Sequence, residues 1–338
     1  IALNILNLGR FKLGVGCVGS AKRALQLAAQ YAKERKQFNT PLAKFNLIKA
    51  QLANMAIKPY VAESVVYRTA GLIEEAMARI REQEQPEQSE VARLLAEYAL
   101  ESSICKVLAS ETLDFVVDEA VQIHGGYGYM SEYEVENMYR DARINRIFEG
   151  TNEINRLLIM DTLMRKAVKG ELPISRLAAR LEEELLQYIP EEVGEAPLVR
   201  ERHYLAMAKK LLLLLAGTAW KKYGEALAKE QEVVANLADL VMELFAMESA
   251  LLRTEQAIGK RGLEQESLKY KYTVVYAQEA FQRMEAIGRE VLAALEAGDN
   301  LFIMLSILRK LTRHTPVDTI GLKREIAEQI IQAGTYRV

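Results

Sequence analysis

The chain of 338 residues carries 44 Lys and Arg against 46 Asp and Glu, a formal charge of −2 at pH 7. No block of basic residues supplies the positive surface that a nucleic-acid backbone requires, so the composition argues against nucleic acid as a partner. The two cysteines, Cys17 and Cys105, fit no metal-binding spacing, and we expect free thiols in a reducing compartment and no metal site.

Hydrophobic periodicity predicts long helices in the first half of the chain, with almost no strand signal. Together these helices predict an all-α fold, a four-helix bundle over residues 1–168. Polar residues predict a loop over residues 81–90. The predicted helices are Val18 to about Phe38, Ile48 to about Ala76 with a kink at Pro59, Ser89 to about Val121, Glu134 to Asp141, and one capped by Thr151 or Asn152 that reaches about Lys166.

The second half, residues 174–338, contains further helical patterns and no chemical motif, which is typical of a packing or dimerisation domain. Its apolar run LLLLLAGTAW, Leu211 to Trp220, is shorter than the roughly 20 residues of a membrane span. A buried helix is the expected structure. An interfacial helix that gives peripheral membrane contact is the alternative.

Glycines in the string GVGCVG, Gly14 to Gly19, match a dinucleotide-binding fingerprint. A true fingerprint lies between a strand and a helix in a repeated strand–helix unit, whereas here only helices follow. We therefore expect small residues that allow close helix packing.

The octet YAKERKQF is predicted at the end of the first helix, and it groups Arg35, Lys36, Gln37 and Phe38. Basic residues at a helix C-terminus usually complement the helix dipole. The functional alternative is a guanidinium aimed at a diphosphate, with Phe38 offering a face to a flat ring.

A denser set of constrained positions occupies AVQIHGGYGYMSEYEVENMYRDARINRIFEGTNEINR, residues 120–156. Gly125 and Gly126 allow a tight turn and close approach of a ligand, and Gln122 offers an amide to a heterocycle edge. His124 is expected to be a packed histidine rather than a catalyst. Glu149 follows the apolar Phe148 directly, at an apparent helix start.

The run from Gln122 to Arg156 resembles the C-terminal signature of the flavin-dependent acyl-CoA dehydrogenases, and LGRFKLGVGCVGSAKRALQLAAQYAKERKQF resembles the first helix of the same domain. The resemblance is specific over residues 1–168. Residues 174–338 are more loosely similar to the additional C-terminal helical domain of very-long-chain members. The family's N-terminal helical domain and middle β-domain have no counterpart here, so we expect a C-terminal part that is inactive alone.

The resemblance implies a role for each matching residue. Glu149 takes the place of the base that removes the α-proton of an acyl thioester, while some relatives carry that base at the position matching Gly9. The implied substrate-contacting residues are Asn7, Leu8, Gly9, Arg10, Phe148 and Gly150. The implied FAD-contacting residues are Arg35, Gln37 and Phe38, which reach the flavin of a neighbouring subunit, Gln122, Ile123, His124, Gly125 and Gly126 on its adenine side, and Thr151, Asn152 and Glu153.

The same resemblance implies oxidation of a long-chain acyl-CoA to a trans-2-enoyl-CoA in fatty-acid β-oxidation, with hydride transfer to FAD. It implies a homodimer or higher homo-oligomer, an electron-transfer flavoprotein as acceptor, and a location in the cytoplasm or the mitochondrial matrix. A non-catalytic binding or assembly module and an acyl-CoA oxidase remain alternatives. A DNA-associated relative would need a basic patch, which the charge balance does not supply.

Overall fold

The computed structural model describes residues 2–82, 88–187, 194 and 196–338. These residues form twelve α-helices and one short two-stranded hairpin. The all-α prediction is therefore confirmed.

The first half contains six helices and the hairpin. Their bounds are α1 Ala2–Glu34, β1 Lys36–Gln37, β2 Thr40–Pro41, α2 Asn46–Arg81, α3 Gln88–Glu97, α4 Ala99–His124, α5 Glu134–Ala142 and α6 Asn152–Val168. The long helices α1, α2, α4 and α6 pack side by side as a bundle.

The second half adds six helices. Their bounds are α7 Ile174–Gln187, α8 Val199–Tyr223, α9 Gln231–Arg261, α10 Ser267–Leu295, α11 Gly298–Leu311 and α12 Thr319–Ala333. Helices α9, α10 and α12 pack against α2, and α9 also packs against α6. One hydrophobic core therefore runs through both halves, and the division at residues 168–174 stays a prediction.

Several predicted boundaries were wrong. Helix α1 begins at Ala2 rather than near Val18 and ends at Glu34, so Arg35 to Phe38 lie in the hairpin after the helix. The helix predicted from Ser89 to Val121 is two helices, which begin at Gln88 and meet at Tyr98. Of the loop predicted over residues 81–90, residues 83–87 lie outside the described part of the chain.

Buried ion pairs join the two halves. Glu63 on α2 is buried and accepts hydrogen bonds from Arg253 on α9, at 2.9 Å, and from the Tyr336 hydroxyl, at 3.1 Å; it also pairs with Lys22. Burial alone would raise the pKa of Glu63, but pairing with Lys22 and Arg253 lowers it overall. Specific contacts of the Glu63 carboxylate therefore join the two halves in addition to apolar packing.

The apolar run of α8 lies in this shared core. Leu211, Leu214 and Leu215 are almost fully buried, which favours the buried-helix interpretation over the interfacial one. Among the helices of the described residues, none combines the length and the apolar character needed to cross a membrane.

The GVGCVG string lies within α1, so the rejection of a strand–helix fingerprint is confirmed. A Cβ atom added at Gly14 would lie 2.9 Å from the backbone carbonyl oxygen of Cys105 on α4. At Gly16 and Gly19 an added Cβ meets nothing within 4 Å. Close helix packing therefore explains Gly14 and leaves the other two glycines without a packing reason.

Replacing Gly14 by alanine should destabilise the protein. The added methyl must push α1 away from α4. Overpacking of this kind lowers the free energy of unfolding by about 1–3 kcal/mol. The better helix propensity of alanine offsets at most about 1 kcal/mol of this loss. Thermal unfolding measures the change. Gly19→Ala is the matched control, since it gains the propensity without the clash and should raise the unfolding midpoint; an equal rise for Gly14→Ala would contradict the close contact.

Candidate active site

The carboxylate singled out by the sequence lies on a short turn between α5 and α6. Glu149 has φ of +57° and Gly150 has φ of +79°, so two successive residues are in the left-handed region. This conformation is strained for glutamate and is found mostly at functional sites. Thr151 then caps α6, because its side-chain oxygen accepts a hydrogen bond from the Ile154 N–H at 3.3 Å.

The Glu149 side chain rests against Gly9 of α1. A Cβ atom at Gly9 would lie 2.7 Å from Glu149 Oε1 and 2.9 Å from both Cδ and Oε2. The two positions at which the resemblance places a catalytic base are therefore adjacent in space, although 140 residues separate them. Glycine at position 9 leaves the room that the Glu149 carboxylate occupies.

Arg10 and Asn7 support the backbone of this turn from α1. Arg10 Nε donates to the Glu149 carbonyl oxygen at 3.1 Å, and Arg10 Nη1 donates to Asn7 Oδ1 at 3.0 Å. Asn7 in turn donates to the Leu95 carbonyl at 3.0 Å. Both side chains are buried and bonded within the protein, so they position Glu149 and offer little surface to a substrate.

A pocket of about 310 Å³ opens beside the carboxylate. Leu13, Leu113 and Phe148 give it apolar walls, and Phe148 is half exposed at its rim. Cys17 also lines the pocket; burial raises the pKa of its thiol to about 12, and the nearby Lys106 only partly opposes the rise. The thiol therefore stays protonated. Among the described residues that line this pocket, Glu149 carries the only carboxyl group and none carries an imidazole, so Glu149 is the candidate proton acceptor.

A buried polar network holds the first turn of α6. Lys106 on α4 donates to Asn152 Oδ1 at 2.6 Å, and Asn152 Nδ2 donates to Ser110 and Glu111, each at 3.1 Å. Burial lowers the pKa of Lys106 to about 8. Asn152 as a whole is buried and its side chain is used in this way, while Thr151 is partly exposed and Glu153 exposed.

The residues assigned to the flavin at the end of α1 lie on the hairpin. Lys36 pairs with Pro41 and Gln37 with Thr40, so Phe38 and Asn39 form a two-residue turn with φ of 49° and 59°. Positive φ suits asparagine but is uncommon for phenylalanine. Phe38 is 89% exposed, so its side chain is accessible to a ligand or partner.

A second pocket, of about 590 Å³, lies between this hairpin and the end of α4. Gly125 ends α4 with φ of 61° and ψ of −142°, a conformation that glycine alone adopts readily. The His124 ring stacks on Tyr31 at 4.1 Å between centroids, and its Nδ1 atom lies 2.7 Å from the Ala120 carbonyl, so it is packed as expected. The residues that line the pocket are Tyr31, Arg35, Gln37, Leu42, Ile48, Gln122, Ile123, His124, Gly125, Gly126, Tyr127 and Met130.

Donors and flat surfaces in this second pocket match a flavin dinucleotide. Arg35 supplies a cation for phosphate, and the exposed Gln122 supplies an amide for a heterocycle edge. The sequence interpretation missed Tyr31 and Tyr127, whose ring lies 5.4 Å from the Arg35 guanidinium. Tyr31 lies in the same octet as Arg35 and could have been found from that spacing.

Comparison with known proteins agrees with this geometry. A family model described as "Acyl-CoA dehydrogenase, C-terminal domain" matches residues 1–164, and a second model with the same description matches residues 207–310. The "Probable acyl-CoA dehydrogenase" of Bacillus subtilis is 52% identical over 338 residues, which are 100% of this chain and 57% of that protein.

Two further relatives extend the comparison. An acyl-CoA dehydrogenase from Bacillus anthracis, solved as a complex with FAD, is 57% identical with a TM-score of 0.97, over 100% of this chain and 57% of that one. The very long-chain specific acyl-CoA dehydrogenase of rat mitochondria is 29% identical over 278 residues, 77% of this chain and 40% of that protein. The chain thus spans somewhat more than half the length of the two bacterial relatives, and with both of its halves matched by the family's C-terminal models it belongs to the acyl-CoA dehydrogenase family.

Proposed function

We propose that these 338 residues provide the proton-abstracting side of a flavin-dependent dehydrogenase that acts on long-chain acyl-CoA. The observation that carries the proposal is the Glu149 carboxylate, held against Gly9 at the wall of a pocket that Leu13, Leu113 and Phe148 help to line. Its Oε2 atom is buried and accepts no hydrogen bond from the described residues, so the carboxylate keeps an unused acceptor.

Removal of an α-proton from a thioester needs a fixed base in a site that excludes water, because this proton is only weakly acidic. Arg10 fixes the backbone of Glu149, and Gly9 leaves space for its carboxylate. Leu13, Leu113 and Phe148 would surround the first carbons of the acyl chain. In this arrangement the α-proton moves to a Glu149 carboxylate oxygen.

The bound flavin supplies the acceptor for the hydride of the β-carbon, so that the product is a trans-2-enoyl-CoA. Arg35 and Phe38 would hold the FAD from the hairpin, and Gln122 with the glycine turn would hold its adenine side. The proposed FAD contacts of this chain lie in two places. Those at the hairpin and the end of α4 are Arg35, Gln37, Phe38, Gln122, Ile123, His124, Gly125 and Gly126. Those at the start of α6 are Thr151, Glu153 and the backbone of Asn152. The FAD held by the Bacillus anthracis relative supports this cofactor.

Two copies of the chain are needed to complete each site in this proposal. Gly9 and Glu34 lie near opposite ends of α1, and the helical rise separates them by roughly 38 Å. One flavin dinucleotide is too short to reach from Glu149 to the hairpin of the same chain. We therefore infer that the hairpin binds the flavin of a second subunit, which makes the functional unit a homodimer or a larger homo-oligomer.

The relatives support proposals for the length of the acyl chain and for the location of the protein. The similarity to the rat very long-chain enzyme extends into the second half and supports long acyl chains. We propose the cytoplasm as location, since two of the relatives are bacterial. From the family resemblance we also propose an electron-transfer flavoprotein as electron acceptor. An acyl-CoA oxidase would use the same base.

Incubation of the flavin-loaded protein that contains these residues with palmitoyl-CoA tests the proposal. We expect a product that has lost two hydrogens, identified as the trans-2-enoyl-CoA by mass spectrometry, with turnover that depends on an added electron acceptor. Oxygen consumption equal to product formed would instead favour an oxidase. Absence of product across short, medium and long chains would favour a non-catalytic module.

The 338 residues alone should retain little FAD. Arg35, Phe38 and Gln122 are exposed, and the described residues enclose neither end of a flavin on all sides. We expect gel filtration after incubation with FAD to remove the flavin, as measured by absorption of the protein fraction. Recovery of one flavin per chain would contradict this expectation.

A further inference from the structure

The turn that carries Glu149 is held by a residue to which the sequence interpretation gave no role. Asn155 is fully buried in the first turns of α6. Its Nδ2 atom donates to the Gly150 carbonyl at 2.8 Å and to the Thr151 carbonyl at 2.9 Å, and it lies 3.5 Å from the Glu149 carbonyl. One side chain thus faces the backbone oxygens of three consecutive residues.

Asn155 and Arg10 divide these three oxygens between them. An amide nitrogen has two hydrogens, which the short bonds to Gly150 and Thr151 use. The Glu149 carbonyl receives its short bond from Arg10 Nε, at 3.1 Å. Two side chains from different helices therefore hold a turn whose first two residues have positive φ.

The stabilising hydrogen bonds of Asn155 are offset in part by an unsatisfied acceptor. Its Oδ1 atom is buried and accepts no hydrogen bond from any described residue, which costs free energy. Leucine has nearly the same size and shape and would remove this acceptor, but it would take the Asn155 donors away from the Gly150 and Thr151 carbonyls. What leucine lacks is the pair of N–H donors aimed at the turn.

We propose that Asn155 is a positioning residue for Glu149, a role that rests on the function proposed above. Its two hydrogen bonds fix the backbone from which the Glu149 side chain extends to Gly9, and so fix the distance from the carboxylate to the substrate α-carbon. A displacement of about 1 Å in such a site lowers the rate about 10²-fold. Binding of acyl-CoA does not depend on this distance.

Asn155→Leu and Asn155→Asp, made in the flavin-loaded protein, test the proposal. Both keep the size of the side chain and remove the donors. We expect kcat with palmitoyl-CoA to fall about 10²-fold while KM changes less than about threefold. Asn155→Gln keeps the donors on a longer stem and should recover part of the lost rate. Asn236→Leu on α9 is the control for the substitution itself, because the Asn236 side chain donates to Glu290 and not to the turn.

A second readout isolates proton removal. In 3-thiapalmitoyl-CoA a sulfur replaces the β-carbon, so hydride loss is blocked while α-protons still exchange with D₂O in the presence of a base. Mass spectrometry of the recovered thioester should show exchange with the unsubstituted protein and with Asn236→Leu, and about 10²-fold slower exchange with Asn155→Leu and Asn155→Asp.

The outcomes separate the two proposals. Wild-type kcat and exchange in Asn155→Leu would overturn the positioning role and leave the proposed function intact. A parallel rise in KM, or failure of both variants to fold with flavin, would also overturn it in favour of a purely structural role. Absence of turnover and exchange in the unsubstituted protein would overturn the proposed function and the positioning role together.

Discussion

Glu149→Gln should lower the rate of acyl-CoA oxidation by about 10³- to 10⁴-fold, because it removes the general base that the described residues supply to the pocket and keeps the size of the side chain. Flavin content and the affinity for acyl-CoA should stay near those of the unsubstituted protein. Steady-state kinetics with palmitoyl-CoA measure the effect. The unfolding midpoint should not fall, since Glu149 Oε2 accepts no hydrogen bond from the described residues.

Glu171→Gln is the matched control for this variant. Glu171 is exposed just beyond the other end of α6, so the same chemical change there should leave turnover unchanged. If Glu149→Gln kept more than about a tenth of the normal rate, another residue would have to be the base, since loss of general-base catalysis lowers the rate at least about 10²-fold.

Gly9→Ala should separate activity from stability. The new methyl would lie within 2.7–2.9 Å of three atoms of the Glu149 carboxyl group, so the carboxylate must move. A flexible side-chain end moves at little cost, and alanine improves the helix, so stability should change by no more than about 1 kcal/mol. The displaced base should nevertheless lower kcat about 10²-fold.

Parallel measurements on Gly19→Ala control for the helix effect. Gly19 lies on the same helix, and an added Cβ there meets nothing within 4 Å. Normal turnover in Gly9→Ala would show that the Glu149 carboxylate acts from some other position than the one against α1.

Periodicity was enough to predict the fold class and several helices of the first half, because apolar stripes determine which faces are buried. It failed at the start of α1, where the glycines at positions 9, 14, 16 and 19 weaken the helical signal although the helix continues through them. Packing against α4 overrides their poor propensity. The break at Tyr98 carries no glycine or proline and gave no local signal.

The hairpin after α1 shows a different limit. Two-residue strands are too short to produce an alternating pattern, and a turn at Phe38 and Asn39 requires positive φ at a residue that rarely adopts it. The residues themselves left a diphosphate contact by a guanidinium and a ring contact by Phe38 as an alternative, and the assignment of Arg35, Gln37 and Phe38 to a flavin came through the resemblance. Their placement beside Gln122 to Gly126 depends on how the end of α1 packs on the end of α4.

The contacts around Glu149 lie beyond what sequence alone gives. Gly9 and Glu149 are in contact although 140 residues separate them. In the sequence Asn155 is an ordinary helical position, and only the structure shows that its side chain donates to the carbonyls of preceding residues. Asn7 and Arg10 were expected to contact substrate, whereas both are buried and support the backbone. Such roles depend on tertiary distance, which periodicity does not contain.

Anaerobic titration of the flavin-loaded protein with palmitoyl-CoA, followed through the flavin absorption band, tests the central claim most directly. We predict that the band bleaches in the unsubstituted protein and in Glu171→Gln, and bleaches about 10³- to 10⁴-fold more slowly in Glu149→Gln although the variant still binds acyl-CoA. Bleaching of the Glu149→Gln variant at the normal rate, or an unchanged band in the unsubstituted protein at every chain length, would contradict the role of Glu149 as the base.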